Sequence, residues 1–271
     1  MKIPLNPPLE KGDLPFAPPF LKGGWGDFHI KRVAMVIPVY NHEGMVAEVV
    51  KSAARLGMPL IVVDDGSTDG TYDRIKDIPS ITVVRHDRNR GKGAAILTGF
   101  AAAAPRADWA VTMDADGQHH PEDAWNLIRV VPPGARVIVV GQREGMDHRN
   151  VPWSSRFGRK FSNFWVRASG GPDIGDTQSG FRLYPLPEAM YLGVRSRRFQ
   201  FEVEILARAK WRGLPVLSAP VRVTYQRSGE RVSHYRGFVD FCRNTGTFSR
   251  LIFTRLCILP FGRVFGRRGR S

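Results

Sequence analysis

The feature that most constrains this chain is a repeated order: an apolar run of strand length, a polar or acidic cluster, then a helical pattern. Val33-Ala34-Met35-Val36-Ile37-Pro38 leads into Val39-Tyr40-Asn41 and an amphipathic pattern over residues 44–56. Leu60-Ile61-Val62-Val63 runs into Asp64-Asp65-Gly66-Ser67. The run from Trp109 to Met113 ends at Asp114-Ala115-Asp116, and Pro121-Glu122-Asp123 opens the next helical pattern, over residues 121–130. Uninterrupted apolar runs of this length suit strands buried on both faces. Their alternation with helices predicts an α/β fold, a mostly parallel central sheet with helices on both faces. Further strands are expected at 81–84, 137–140, 216–217 and 221–225. Further helices are expected at 94–104 and at 202–211, the latter closed by Gly213 and Pro215.

This architecture decides where chemistry belongs. In an open parallel sheet the carboxyl ends of the strands share one rim, and ligands bind there. The ends carrying Pro38 and Tyr40, Asp64 and Asp65, and Asp114 and Asp116 should therefore line one cleft. Two carboxylates one residue apart can share a hard divalent cation, which completes its shell with water and phosphate oxygens. A lone Asp-x-Asp is more often an acidic turn capping a helix. Three such strand ends together point to a site for a metal-bound nucleotide.

Outside this core the chain changes character. Residues 1–31 carry Pro4, Pro7, Pro8, Pro15, Pro18 and Pro19 and are expected to form a disordered extension; a proline-rich docking arm is the alternative. After about residue 141 the pattern loosens. Trp153, Phe157, Phe161, Phe164 and Trp165 fall along one broad face of a helix over 153–168, and such a stripe reads as core. Residues 236–271 read as a basic amphipathic helical segment, with Leu251, Ile252, Phe253, Leu256, Ile258 and Leu259 set against Arg250, Arg255 and Arg263. Such a segment either lies in a membrane interface or packs on the domain with its arginines in water.

The formal charge is +15 over 271 residues, and the stretch from Arg227 to Ser271 holds ten arginines against Glu230 and Asp240. This bias favours polyanionic partners: an anionic membrane surface, phosphorylated substrates or nucleic acid. Nucleic acid leaves the acidic strand ends unexplained, so none is expected. Cys242 and Cys257 lack metal-type spacing and are expected to be reduced thiols. No stretch approaches the ~18 uninterrupted apolar residues of a membrane span. The expected location is cytoplasmic, peripheral on the inner face of the cell membrane.

Taken together, Ile37-Pro38-Val39-Tyr40-Asn41, Val63-Asp64-Asp65-Gly66-Ser67-Thr68-Asp69-Gly70-Thr71, Gly91-Lys92-Gly93-Ala94-Ala95, Asp114-Ala115-Asp116-Gly117-Gln118-His119 and Asp176-Thr177-Gln178-Ser179-Gly180-Phe181-Arg182 resemble, in order and spacing, the family-two glycosyltransferases with the Rossmann-like GT-A fold. The likeness covers residues 32–241, and is strongest to the branch containing dolichyl-phosphate mannose and glucose synthases. It implies a GT-A domain over residues 32–235. The implied activity is metal-dependent, inverting transfer of a sugar from a UDP- or GDP-linked donor. The expected acceptor is a polyprenyl phosphate or other lipid, or a glycan.

The resemblance also implies roles. Pro38 and Tyr40 border the base and ribose, and Asp65 with Asp64 accepts from the base. Lys92 contacts the nucleotide or caps its helix. Asp114, with Ala115, faces the ribose, and Asp114 and Asp116 hold Mg2+ or Mn2+, Asp116 as the direct ligand. His119 joins the metal or orders the loop, and Arg143 lies near the donor phosphates. The segment with Asp176, Gln178 and Arg182 forms the floor beneath the sugar. Glu202 or Glu204 is the general base if the acceptor is a hydroxyl. Arg227, Arg231 and His234 hold the acceptor or the leaving diphosphate. Where many relatives read Tyr-Asn-Glu, this chain has Tyr40-Asn41-His42-Glu43. The competing functions are a basic nucleic-acid-binding protein, a sugar nucleotidyltransferase, and a nucleotide-sugar binder without turnover. The nucleotidyltransferase lacks its glycine-rich, lysine-containing loop after the first strand.

Overall fold

The structure is a computed structural model that describes residue 30 and residues 32–144, 153–224 and 237–258, with the side chains of 153–157, 237–244 and 258 outside the description. Of the N-terminal extension only Ile30 is described, and it is buried in the core rather than extended away from it; the segment carrying Arg227, Arg231 and His234 lies outside the described residues.

Seven strands form one sheet: β1 (Val33–Val39), β2 (Leu60–Asp64), β3 (Ile81–Arg85), β4 (Trp109–Thr112), β5 (Ile138–Arg143), β6 (Arg182–Pro185) and β7 (Val216–Val221). Their spatial order is β3-β2-β1-β4-β6-β5-β7. β1, β2, β3 and β4 run parallel, as do β5 and β7, whereas β6 is antiparallel to both its neighbours. The helices are α1 (Val46–Ala54), α2 (Thr71–Ile75), α3 (Lys92–Ala103), α4 (Ala124–Arg129), α5 (Trp153–Ala168), α6 (Phe201–Trp211) and α7 (Gly237–Phe253), which passes into a π-helical turn at Thr254–Ile258.

Side-chain alternation along the strands sorts the core into two layers. Val33, Met35, Ile37 and Val39 of β1 join Val62 and Val111 under α1 and α4. Ala34 and Val36 join Ile61, Val63 and Ala110 under α3 and α6. α3 is built from small residues because it lies tight on the sheet: a Cβ on Gly99 would stand 2.2 Å from Val36 Cγ1.

The expected α/β sheet is present, with three departures. The floor segment is expected to end at Arg182, and no strand is expected there, yet Arg182–Pro185 form β6 between β4 and β5. A run of four buried residues does not declare its direction in sequence; the antiparallel insertion is a tertiary outcome. Second, β7 is continuous over Val216–Val221, and Val223 contributes only an isolated bridge to His119. Third, the helix expected from residue 121 begins as a 3-10 turn, Pro121–Asp123, before α4.

The aromatic stripe is core in part. Phe161 and Trp165 meet Phe248 of α7 at ring-centroid distances of 6.4 and 6.0 Å, whereas Phe164 is 61% exposed. Phe248 and Leu251 are buried in the layer shared with α3 and α6. The described part of the carboxyl-terminal segment thus packs on the sheet domain, while Phe253 and Leu256 remain exposed. No helix among the described residues is long and apolar enough to cross a membrane. Cys257 is an exposed free thiol.

Candidate active site

Register brings the predicted strand ends to one rim. Val39 pairs with Asp64, and Met113 N donates to Val36 O near the end of β1, so Tyr40, Asp64 and Asp114 emerge along one rim. The first loop is tied to the second. Asn41 N donates to Ser67 Oγ (3.0 Å), Thr68 N to Asn41 Oδ1 (2.9 Å) and Gly70 N to Glu43 Oε2 (3.2 Å). Glu43, displaced by one position from the family pattern, acts here as a clasp that also pairs with Arg74. Pro38 and Tyr40 are half-buried beside this clasp.

Asp64, the last residue of β2, and Asp65 after it, both expected to accept from the base, are turned inward. Asp64 is completely buried, takes Ser67 N on Oδ1 (2.9 Å) and pairs through Oδ2 with Arg85 Nε (3.1 Å). Asp65, 2% exposed, accepts from Arg90 N, Gly91 N and His86 Nδ1 at 2.9, 2.7 and 2.7 Å. A carboxylate receiving three donors is a frame for the loop that makes them. What Asp65 frames is the loop entering α3, and so the position of Lys92. His86, whose Nε2 also meets Thr98 Oγ1 at 2.9 Å, belongs to this frame; a lone histidine after a strand carried no sequence signal.

Lys92 is the first residue of α3, and its ammonium lies 2.6 Å from Asp114 Oδ1 and 2.6 Å from Glu202 Oε1. Of the two alternatives for Lys92, the structure favours the cleft over the cap. Burial disfavours the charge on Lys92, but the two carboxylates outweigh it and hold its pKa well above the ordinary lysine value. Asp114 is stabilised as the anion in turn: burial opposes it, and Lys92, His119 and Arg143 prevail. Asp116 is pushed the other way by burial and by the charge of Asp114, while Gln118 N donates to its Oδ1 at 3.0 Å. Burial holds His119 towards its neutral form against both aspartates. Its ring packs on Phe181 (centroids 5.1 Å apart), and its Nδ1 is buried without a hydrogen-bond partner. Ala115 is buried at 3%, so only its backbone reaches the cleft.

Gly180 closes the floor. A Cβ there would lie 2.5 Å from Asp114 Oδ2 and 2.8 Å from Lys92 Nζ, so glycine is required for the carboxylate and ammonium to meet. Asp176, buried at 1%, binds Arg143 in a fork: Nε to Oδ2 at 2.7 Å and Nη2 to Oδ1 at 2.9 Å. Arg143 is thereby aimed from the end of β5, its side chain 18% exposed. Gln178 is half-buried on the same floor.

Arg182, expected in the floor and as a catalytic residue, and Glu204, expected as an alternative general base, are both buried and bonded within the fold. Arg182 is completely buried and donates to Ser179 O, Glu202 O and Thr177 O at 2.6, 2.7 and 2.9 Å; no face of it reaches the cleft. Glu204 accepts from Arg195 N, Ser196 N, Ser196 Oγ, Arg208 Nε and Arg250 Nη2, and is completely buried. Residues two apart on a helix point about 200° apart, so only Glu202 turns to the cleft.

Asp114, Asp116 and His119, whose Nδ1 has no hydrogen-bond partner, follow one another after the end of β4 and influence one another electrostatically, and carboxylate oxygens are the donor type a hard cation takes. Among the described residues no group of three or more His, Cys, Asp or Glu side chains is placed to hold a metal ion, so the protein itself offers at most the two neighbouring carboxylates and the imidazole's edge.

Comparison with known proteins agrees with this geometry. The chain is 29% identical over 257 residues to UDP-N-acetylglucosamine–dolichyl-phosphate N-acetylglucosaminyltransferase of Methanococcus voltae, covering 86% of this chain and 98% of that protein. It is 31% identical over 219 residues to polyprenol monophosphomannose synthase of Mycolicibacterium smegmatis, covering 73% and 80%. Its fold is similar to that of mannosyl-3-phosphoglycerate synthase from Rubrobacter xylanophilus, with a TM-score of 0.56 over 87% of this chain and 75% of that one, at 16% identity. Residues 34–186, more than half of the chain, match the model of glycosyl transferase family 2, and with its GT-A sheet and acidic rim the chain is a glycosyltransferase belonging to that family.

Proposed function

We propose that this enzyme transfers a sugar from a nucleoside-diphosphate donor to a polyprenyl phosphate at a membrane surface, with inversion at the anomeric carbon. The observation that carries the acceptor class is the state of the two α6 carboxylates. Glu204 is enclosed by five donors, and Glu202 is paired with Lys92. A hydroxyl acceptor needs a base; a phosphate arrives as an anion and needs none. The relatives named for dolichyl- and polyprenol-phosphate transfer support the same class.

In this reading Asp114 and Asp116, with His119 beside them, hold Mg2+ or Mn2+. The ion when bound supplies positive charge to the donor diphosphate. Lys92 keeps Asp114 anionic and restrains its carboxylate. Arg143, fixed by Asp176, places a guanidinium at the rim for phosphate oxygens. Pro38 and Tyr40 border the nucleoside, and Gln178 lies below the sugar. An acceptor phosphate oxygen forms the new bond to the anomeric carbon from the face opposite the leaving group. The bond to the nucleoside diphosphate breaks, and the diphosphate takes the electron pair. Arg227, Arg231 and His234 are proposed to meet the acceptor or the departing diphosphate. The exposed Phe164, Phe253 and Leu256, on the two helices that pack through Phe248, together with the +15 charge, suit a peripheral membrane location.

Titration calorimetry of UDP and GDP, each with and without Mn2+, tests the donor site. One nucleotide is expected to bind only with metal, and Asp116→Ala to abolish that binding. Metal-independent binding unaffected by the substitution would overturn the assignment. Transfer of radiolabelled sugar to a short polyprenyl phosphate then separates an enzyme from a silent binder.

A further inference from the structure

Residues 196–200 form a wall with two sides. One side faces α3: Ala94 N donates to Arg197 O at 3.0 Å, and the Phe199 ring lies 5.9 Å from Lys92 Nζ. The other side, with α7, encloses an open cavity of about 360 Å³ lined by Ser196, Arg197, Arg198, Gln200, Thr247 and Arg250. No acidic side chain lines it.

Ser196 Oγ and Arg250 Nη2 are spent on Glu204, but other donors of the lining are idle. Gln200 is 5% exposed, yet its Nε2 has no hydrogen-bond partner, and neither has the buried Nε of Arg250. Arg197 and Arg198 are exposed at the mouth and make no side-chain hydrogen bond or ion pair among the described residues. Glu204 stands behind the cavity but is already shared between Arg208 and Arg250, at 2.6 Å from each, so it leaves the charge of Arg197 and Arg198 uncompensated. Buried N–H groups without acceptors are costly, and natural proteins keep them chiefly where something else fills them. The guanidiniums of Arg197 and Arg198, the Gln200 amide and the Thr247 hydroxyl match the tetrahedral acceptor oxygens of phosphate. The cavity is larger than a bare phosphate and leaves room for the group that carries it.

We propose that this cavity is a phosphate-binding site, separate from the acidic cleft and sharing with it only the wall at residues 196–200. The ligand is a phosphate monoester, either the headgroup of a membrane lipid or a soluble phosphate. The site stands without the donor reading above.

The test uses the full chain in EDTA, so that the acidic cleft holds no metal. Inorganic phosphate is expected to raise the melting temperature and to bind in calorimetry. Arg197→Gln/Arg198→Gln removes two unpaired guanidiniums and should weaken binding at least tenfold with the unliganded melting temperature kept. Gln200→Glu, which sets a carboxylate among the arginines, should weaken it as much. Asp116→Ala should leave it intact, which distinguishes this site from the donor site. Flotation with phosphatidylcholine vesicles containing phosphatidic acid, compared with vesicles of equal charge made with phosphatidylserine, identifies the source. Preference for phosphatidic acid that is lost in the double variant and competed by inorganic phosphate assigns a lipid headgroup. Phosphate binding without that preference assigns a soluble phosphate. Absence of binding by either probe, or binding equal in wild type and the double variant, would overturn the proposal.

Discussion

Glu202 and Glu204 illustrate how one helical offset separates chemistry from structure. Glu204→Gln should cost about 3 kcal/mol of unfolding free energy in urea at neutral pH, because it leaves Arg208 and Arg250 facing a neutral group in a buried network. The pH dependence follows from its depressed folded pKa: burial opposes the anion, but the donors from Ser196, Arg208 and Arg195 prevail. Its contribution is therefore present above the ordinary value of 4.5 and is lost as pH falls through the lower folded value. The gap between wild type and variant should narrow in acid; a gap that widens would contradict the assignment. Glu202→Gln leaves Lys92 its Asp114 partner, so the fold should hold. Without Glu202 to share it, Lys92 falls wholly on Asp114, and turnover at fixed Mn2+ should fall roughly tenfold, as outer-shell changes at metal sites commonly do.

Among the elements, α7 is the one whose placement the pattern left open. Phe248 is 2% exposed against Phe161 and Trp165, and Leu251 is fully buried. Phe248→Ala should therefore cost about 3 kcal/mol in chemical denaturation, the size of a buried aromatic truncation. Phe253→Ala, at 60% exposure, should change stability by no more than about 0.5 kcal/mol. Equal and small effects at both positions would show that α7 is not part of the sheet domain. The same helix supplies Thr247 and Arg250 to the phosphate cavity and, at its end, the exposed Phe253 and Leu256. A segment read as either membrane-facing or domain-packing thus has one residue set for packing and another facing outward.

At the scale of the whole molecule, a basic chain with exposed Phe253 and Leu256 near the end of its described residues should bind anionic vesicles. Replacing Phe253 and Leu256 by serine should weaken co-flotation roughly tenfold or more, from the apolar area no longer inserted. Binding of the wild type should fall as salt rises above ~0.15 M, where the screening length is about 8 Å. Flotation unchanged by the double substitution would remove these residues from the contact.

The sequence by itself determined the parallel half of the sheet, the rim on which Tyr40, Asp64 and Asp114 emerge, the Asp114/Asp116 pair and the family. These rest on local signals: apolar run length, strand-to-loop breaks and motif order. Only the tertiary structure decided that Asp64 and Asp65 turn inward, that Arg182 is a buried brace, that β6 runs antiparallel, and that Lys92, besides Asp114, meets Glu202 from 110 residues further along the chain. The physical reason is that a residue's type fixes which interactions it can make, whereas the direction of its side chain and the identity of its partner depend on segments distant in sequence. A carboxylate saturated by backbone N–H groups and one facing a ligand are spelled alike, and burial is what tells them apart.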